Sequence, residues 1–381
     1  MATALRWKQK TGRDSSAGAL ELLRAGTPDD LDLLEEPWRA MDVLGGCPSS
    51  QYGWTRACLR ALCEGATMQI VGVERGEELL AVAPLVRKRL HCVHRQFLAG
   101  ASQLHEPMDL VWTNQDALRR LASAIVRSGS PLVLERVPAD SKALVALVGA
   151  CRGRSLVTVR PQAPYPYIEL DESWVEPEQH LSPSDRSDLS HARRQAEQLG
   201  QVMTEIHTPG LHELPGLLDT AFAVEARGCQ GAGANSPSKD PHRAVFYRQY
   251  AQAACVDGAL RICFLRIGDR VAAMQLAVES GGGLWLLKAG HDERFGACSP
   301  MHLLLRETIR YGAEAALSTL AFWGGRESCT QIWPTALRQC VSLRTYPFGV
   351  RGLAALVADA AVAGWLKWAS RPRPCQAGTS T

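Results

Sequence analysis

The feature that most constrains this chain is a hairpin pattern that occurs twice. Met68–Val73 reads as a strand, Arg75-Gly76-Glu77-Glu78 as a turn, and Leu79–Val86 as the returning strand. Leu260–Leu265, Gly268-Asp269 and Val271–Val278 repeat the unit later in the chain. A shift of 192 positions sets Gly76 on Gly268, Glu77 on Asp269 and Ala81 on Ala273. Two glycines and two alanines in register are few, so the pattern alone leaves both a tandem duplication and a chance recurrence open.

The rest of the chain fits an α/β or α+β protein, with strands interleaved by helices. Strands are expected at Leu20–Leu23, Arg95–Leu98, Met108–Trp112, Leu132–Glu135 and Leu156–Val159. Helices are expected over about 29–44, after the Cys47-Pro48-Ser49-Ser50 turn to near Cys63, and over about 115–128 and 139–152. Pro161, Pro164 and Pro166, with Pro177 and Pro183 beyond them, read as a crossover between domains. Helices follow near 182–199, 211–226 and 246–256. The expected division is a flexible stretch at 1–18, domains at 19–170 and 171–350, and a helix and tail at 351–381.

A length of 381 residues suits two or three domains. Lys+Arg 42 against Asp+Glu 39 leaves +3, which is no footprint for a phosphate backbone, so no nucleic-acid partner is expected. Met1–Arg13 lacks the apolar core of a signal peptide, and the longest apolar run, Gly352–Leu366, is interrupted by Asp359. No stable membrane insertion and a cytoplasmic location follow as expectations. The twelve cysteines form no C-x-x-C pair and read as buried thiols, with no metal site expected. His91, Cys92 and His94 fall in an expected strand, where His91 and Cys92 face opposite sides.

The segment that bears on chemistry is a strand, a loop and a helix. Gly283–Ala289 is strand-like, and residues 290–300 then lead into a helix with apolar Met301, Leu304, Leu305 and Ile309 on one face. Ser299 suits the N-cap and Pro300 the first helical position. Amides at such a helix start favour an anion, and Arg294 adds a cation. The same residues also read more simply as a Ser-Pro helix start.

The order of motifs from Glu225 to Trp333 resembles the CelD/BcsL-type acetyltransferases of the GNAT superfamily, linked to cellulose and exopolysaccharide biosynthesis. The matching residues are Glu225 before a glycine-rich loop, Phe246-Tyr247-Arg248, Gly258-Ala259-Leu260-Arg261 and Ala272–Leu276. Lys288-Ala289-Gly290-His291-Asp292, Phe295–Pro300 with Leu303–Leu305, Gly324-Gly325-Arg326-Glu327 and Trp333 continue the series. Trp38, Trp54 and Gly76–Leu85 look similar in the first half, so the likeness spans roughly residues 20–348.

The resemblance implies tandem GNAT-like folds, each a mixed sheet flanked by helices. It implies acetyl-CoA, or another acyl-CoA, as co-substrate for N-acyl transfer to an amino sugar or other small amine, with a possible association with a polysaccharide synthesis system. The acyl-CoA contacts would come from Lys288, Arg294, Phe295, Gly296, Ala297, Cys298, Ser299, Pro300 and Met301. Glu225, Asp292 and Glu327 are the implied candidates for the base, and Arg326 and Trp333 for substrate contacts. Each also has a plainer reading: Glu225 as a solvated helix carboxylate, Asp292 as a turn cap, Glu327 as an ion-pair partner and Trp333 as core. The chain departs from the family pattern at Cys229-Gln230, Cys329-Thr330 and Met301. A FemAB-like aminoacyl transferase and a catalytically degenerate binding module are the alternatives.

Overall fold

The computed structural model describes residues 20–42, 46–228, 240–323 and 330–369. The first half runs through β1 (Glu21–Ala25), α1 (Pro28–Leu33), α2 (Glu35–Asp42), α3 (Tyr52–Ala61), β2 (Thr67–Arg75), β3 (Glu78–Leu90) and β4 (Val93–Leu98). It continues through α4 (Ala101–Leu104), β5 (Val111–Trp112), α5 (Gln115–Arg127), β6 (Leu132–Pro138), α6 (Lys142–Cys151) and β7 (Ser155–Glu169). The second half holds α7 (Pro183–Leu199), β8 (Val202–His207), α8 (Leu214–Gly228), α9 (Pro241–Val256), β9 (Leu260–Ile267) and β10 (Arg270–Ser280). β11 (Gly283–His291), α10 (Pro300–Glu314), β12 (Thr319–Phe322), β13 (Ala336–Pro347) and α11 (Val350–Ala369) complete it.

The 192-residue shift is a property of the fold. It carries β2, β3 and β4 onto β9, β10 and β11, to within a few residues at each end. All strands share one sheet in the order β1-β2-β3-β4-β6-β13-β7-β12-β11-β10-β9-β8, with β5 joined to β3 off this path. Read from its two ends, the order is the same series twice. β4 and β6 pair in parallel, as do β11 and β12. The last strand of each series is exchanged: β7 pairs with β12, and β13 with β6. β7 and β13 then close the sheet against each other over eleven paired positions, from Ala336↔Tyr167 to Pro347↔Ser155.

Pro161, Pro164 and Pro166 are strand residues in the far half of β7, the strand that reaches across to β12, whereas Pro177 and Pro183 start the helical turns that follow. On the side away from β13, β7 is paired only at Tyr167–Glu169, so a missing proline N–H can face an empty edge there. Two expectations need correction here. The expected helix over 29–44 is two helices. Pro37 has no N–H and crowds the carbonyl one turn back, so the break falls at Leu34. His91 and Cys92 are the turn between β3 and β4, both with positive φ (49° and 65°), rather than strand residues. In addition, the strand expected from Met108 is reduced to Val111–Trp112, and Met108 is buried in the core.

One core joins the two halves. α3 lies against α9, and Trp54 meets Phe246, its counterpart under the 192 shift, edge-on at 4.9 Å. Tyr250 and Trp323 also meet Trp54 edge-on, at 4.9 Å and 5.7 Å. The opposite face of the second half packs under α7 and α10 around Leu284, Leu286, Leu304 and Ile309. Among the described residues no helix is long and apolar enough to cross a membrane.

Candidate active site

β11 is where the second half departs from regular sheet geometry. Its pairing with β12 runs only from Gly283 to Leu286, and Trp323 adds one amide to the Leu286 carbonyl. β11 continues to His291, so among the described residues it runs five residues beyond its last ladder pair with β12. On its other edge Leu286 pairs with Ala277 but Lys288 with Leu276, leaving Leu287 as an extra residue. Such a bulge breaks the in-out alternation and re-aims the next side chain. Here it brings Leu287 and Lys288 both to the α8–α9 face, while Ala289 packs on the opposite side.

α8 rests on this bulge through two glycines. A Cβ on Gly290 would lie 3.0 Å from the Glu225 Cα, and one on Gly228 2.3 Å from the His291 carbonyl oxygen. The close approach lowers Glu225 onto β11, where its Oε1 is 3.6 Å from Lys288 Nζ. Both residues are buried. The Lys288 ammonium also lies over the Tyr247 ring, 5.6 Å from its centre. Burial pushes the Tyr247 hydroxyl well above its ordinary pKa, and the charges of Glu106 and Glu225 push the same way against Arg243. Glu225 is therefore no solvated helix carboxylate. It belongs to a buried group of charges between α8, α9 and β11, to which the first half contributes Glu106.

Arg243 and Glu106 were not legible as site residues. For Arg243 a signal exists: Arg243, Phe246, Tyr247 and Tyr250 follow the i, i+3, i+4, i+7 spacing of an apolar stripe, and all four are buried. The arginine is anchored by Asp240 at 3.2 Å and by the Gln103 carbonyl. Glu106 lies in a segment without regular structure and has no pattern to mark it.

The corner after Gly290 differs from expectation. Asp292 caps a short 3-10 turn, Glu293–Cys298, accepting from the Arg294 amide at 3.1 Å and from the Arg294 guanidinium at 2.5 Å and 3.0 Å. The Arg294 hydrogen bond, opposed by burial and helped by Arg227, holds the Asp292 carboxyl below its usual range. Asp292 is therefore a turn cap held in place by Arg294. The Phe295 amide goes to the Asp292 carbonyl and the Ser299 amide to that of Gly296. The amides of His302 and Leu303 both go to the Ser299 carbonyl.

A diphosphate needs donors that are not already engaged, together with positive charge. The amides of Arg294, Phe295, Ser299, His302 and Leu303 are thus engaged within the chain, and the Asp292 carboxylate faces the same corner, so those five amides are not the donors of a diphosphate cradle. The exposed guanidinium of Arg294 is held by Asp292, while Gly296 and Ala297 are exposed on the turn. Phe295, Cys298, Pro300 and Met301 are buried, and Phe295, Cys298 and Met301 pack into the core under α10 because the turn folds its apolar side inward. Ser299 adopts a left-handed conformation (φ 44°) and its side chain does not cap the helix. Trp333 is core, 3% exposed, and not a substrate platform. Lys288 belongs with Glu225 rather than with the corner. Arg326, Glu327, Cys229, Gln230 and Cys329 lie outside the described residues.

No curated protein matches the chain. FemX matches with a TM-score of 0.58 at 12% identity, over 88% of this chain and 99% of that one. The C-terminal domain of a putative lysylphosphatidylglycerol synthetase from Agrobacterium fabrum gives 0.52 at 10% identity, over 87% and 96%. A conserved protein of unknown function from Bacteroides thetaiotaomicron gives 0.51 at 10%, over 83% and 97%. At these identities the likeness is one of fold. The fold is a mixed α/β tandem of two halves with the same strand series, and residues 183–328 of the second, which hold the bulged strand and Glu225, match the family model of the Acetyltransferase (GNAT) domain.

Proposed function

We propose that this chain is an N-acyltransferase in which an amine attacks an activated acyl donor beside the edge of β11 past Leu286. The observation that carries the reading is the bulge at Leu287 with the Glu225–Lys288 pair set against it. An alkyl amine, with a reference pKa near 10.4, arrives as an ammonium and must lose a proton before it can attack. Glu225 is the buried carboxylate placed to take it. A backbone N–H of β11 past Leu286, beyond its last pair with β12, is suited to the oxygen that becomes negative as the amine adds to the acyl carbon. Lys288 supplies the fixed counter-charge that keeps Glu225 in place.

Acetyl-CoA, or another acyl-CoA, is the first donor to test, since the matched domain family is one of acetyltransferases. The acceptor class, an amino sugar or related amine, and a role in polysaccharide or envelope synthesis come from the CelD/BcsL resemblance. They belong to the proposal on that ground alone. The self-bonded corner favours a second reading, in which the donor is not acyl-CoA but an aminoacyl ester, or the fold binds without catalysing.

The test is thiol release from acetyl-CoA with an amine panel, alongside thermal shift with the same ligand. A ligand that binds only the folded chain raises its melting temperature. We expect a rise, and Glu225→Gln to lower turnover by about 10²–10⁴-fold while the thermal shift remains. Neither thiol release nor a shift at saturating acetyl-CoA sinks the acyl-CoA reading. Salt-dependent binding of aminoacyl-tRNA in its place would favour the aminoacyl alternative.

A further inference from the structure

Where the exchanged strands meet, the sheet carries a cavity of about 520 Å³ that none of the site residues above explains. Its lining includes Tyr165 and Tyr167 from β7 and Trp285 from β11, with Arg338 from β13, Asp140 after β6 and Glu169 at the end of β7. The size is within the ~300–1,000 Å³ of small-molecule sites, as is the mixture of ring faces with a few polar groups. It lies on the same face of the sheet as Leu287, because Tyr165, Tyr167, Trp285 and Leu287 all pack on the core that joins the halves. Trp285 precedes Lys288 by three residues, about 10 Å along a strand.

The polar groups decide the class of ligand. Arg338 pairs with Asp140 at 2.8 Å, and that pair is half-exposed on both sides. Glu169 accepts from the Tyr167 hydroxyl at 3.3 Å, and among the described residues that line the cavity the one cation is Arg338. Two carboxylates against one guanidinium leave an excess negative charge beside three aromatic rings. The Trp285 indole is held by its N–H on the Ser280 carbonyl at 2.9 Å, which keeps that ring fixed. Ring faces and carboxylates share one preferred guest, a cation with an apolar body. A phosphate or carboxylate ligand would meet the wrong sign of charge.

We propose that this groove binds an organic ammonium, receiving the amine substrate in its charged form before it reaches Glu225. The role as a receiving site rests on the transferase reading; the binding itself does not. The probes are glucosamine and N-acetylglucosamine, which share a ring and differ in the charge, followed by calorimetric or NMR titration of the full chain. Glucosamine is expected to bind at least about tenfold more tightly than its acetylated counterpart. Glu169→Gln, at an exposed position, should weaken glucosamine about tenfold with the melting temperature unchanged, and Tyr167→Ala should do the same when measured well below its own melting temperature. Equal binding of the two sugars, no binding of glucosamine or spermidine at millimolar concentration, or binding indifferent to both substitutions overturns the groove. Glu225→Gln separates the two claims. If it abolishes turnover and leaves glucosamine binding intact, both stand. Binding with no turnover in any variant removes the transferase but keeps the groove, and turnover with no charge preference removes the groove alone.

Discussion

The two halves of the molecule share one strand series and treat its fourth strand in opposite ways. β4 has six residues, pairs with β3 in unbroken register and ends at Leu98. β11 has nine, carries the bulge and runs on past its last pair with β12. Under the 192 shift Arg95 stands where Leu287 stands, and Gln96 where Lys288 stands. In the first half the Arg95 guanidinium, 1% exposed, is clamped by Asp359 of α11 at 2.7 Å and 2.8 Å and by the Ala355 carbonyl. Gln96 bonds Gln69 at 3.0 Å, an uncharged pairing where the second half has a lysine and a glutamate. So a single scaffold carries the candidate site in one half and a buried ion-pair joint in the other. What differs is which helix closes over the fourth strand: α11 with Asp359 in the first half, α8 with Glu225 in the second.

The largest stability effect should come from undoing the joint in the first half. Asp359 also accepts from Tyr346 at 2.8 Å and Arg344 at 3.0 Å, and His91 lies 3.5 Å away. Burial alone would raise its pKa, but the bonds from Arg95 and Tyr346 and the charge of Arg95 outweigh it and hold the carboxyl well below its ordinary range. Because the folded value is depressed, this stabilisation is complete above the unfolded value, about 3.9, and fades as the pH falls below it. Asp359→Ala strands a buried guanidinium and should lower stability by about 3–5 kcal/mol in urea unfolding at neutral pH. The same variant should lose less on acidification than the parent between about pH 4 and 2. A variant as stable as the parent would mean that α11 does not seal the first half.

A smaller effect is expected in the second half. Gly290→Ala sets a methyl against the Glu225 backbone at 3.0 Å, where α8 cannot yield without lifting off β11. Overpacking of this kind costs about 1–3 kcal/mol. The informative readout is the split between stability and turnover. If Glu225 must sit on the bulge, turnover falls by more than stability alone accounts for, measured well below the melting temperature. A loss of stability with normal turnover would detach Glu225 from the chemistry.

How much of this was legible depended on distance along the chain. The hairpins were readable because Gly76 and Gly268, both with positive φ, carry tight turns between alternating strands. Helix starts at Asn114 and Ser182 were readable because a side chain caps an amide three residues on. The strand exchange was not, since β7 could equally close the first half, and which partner it takes depends on strands that come more than 140 residues later. The Arg95–Asp359 clamp joins residues 264 apart and has no local sign. Glu225 stood out only through family resemblance. At the corner after Gly290 the sequence left a local competitor unread, because an Asp-Glu-Arg start lets Asp292 cap its own turn and take the Arg294 amide and guanidinium.

The smallest effect concerns the helices that follow the two exchanged strands. α11 comes after β13 and is locked by a buried carboxylate, whereas α7 comes after β7 and shows its charges to water. Arg186, His191, Arg193 and Arg194 are all exposed on α7, and Arg193 pairs with Glu197 at 3.0 Å with both side chains half-exposed. An exposed i,i+4 pair contributes about 0.3–0.5 kcal/mol and is screened by salt. Arg193→Ala should therefore change the unfolding midpoint barely above error, and not at all in high salt. That contrast with Asp359→Ala is the point of the measurement. Both helices cap an exchanged strand, and their charges would differ in effect roughly tenfold because one set is buried and the other hydrated. If Arg193→Ala instead cost several kcal/mol, α7 would be a second clamp, and the asymmetry between the halves would lie only in the bulge of β11.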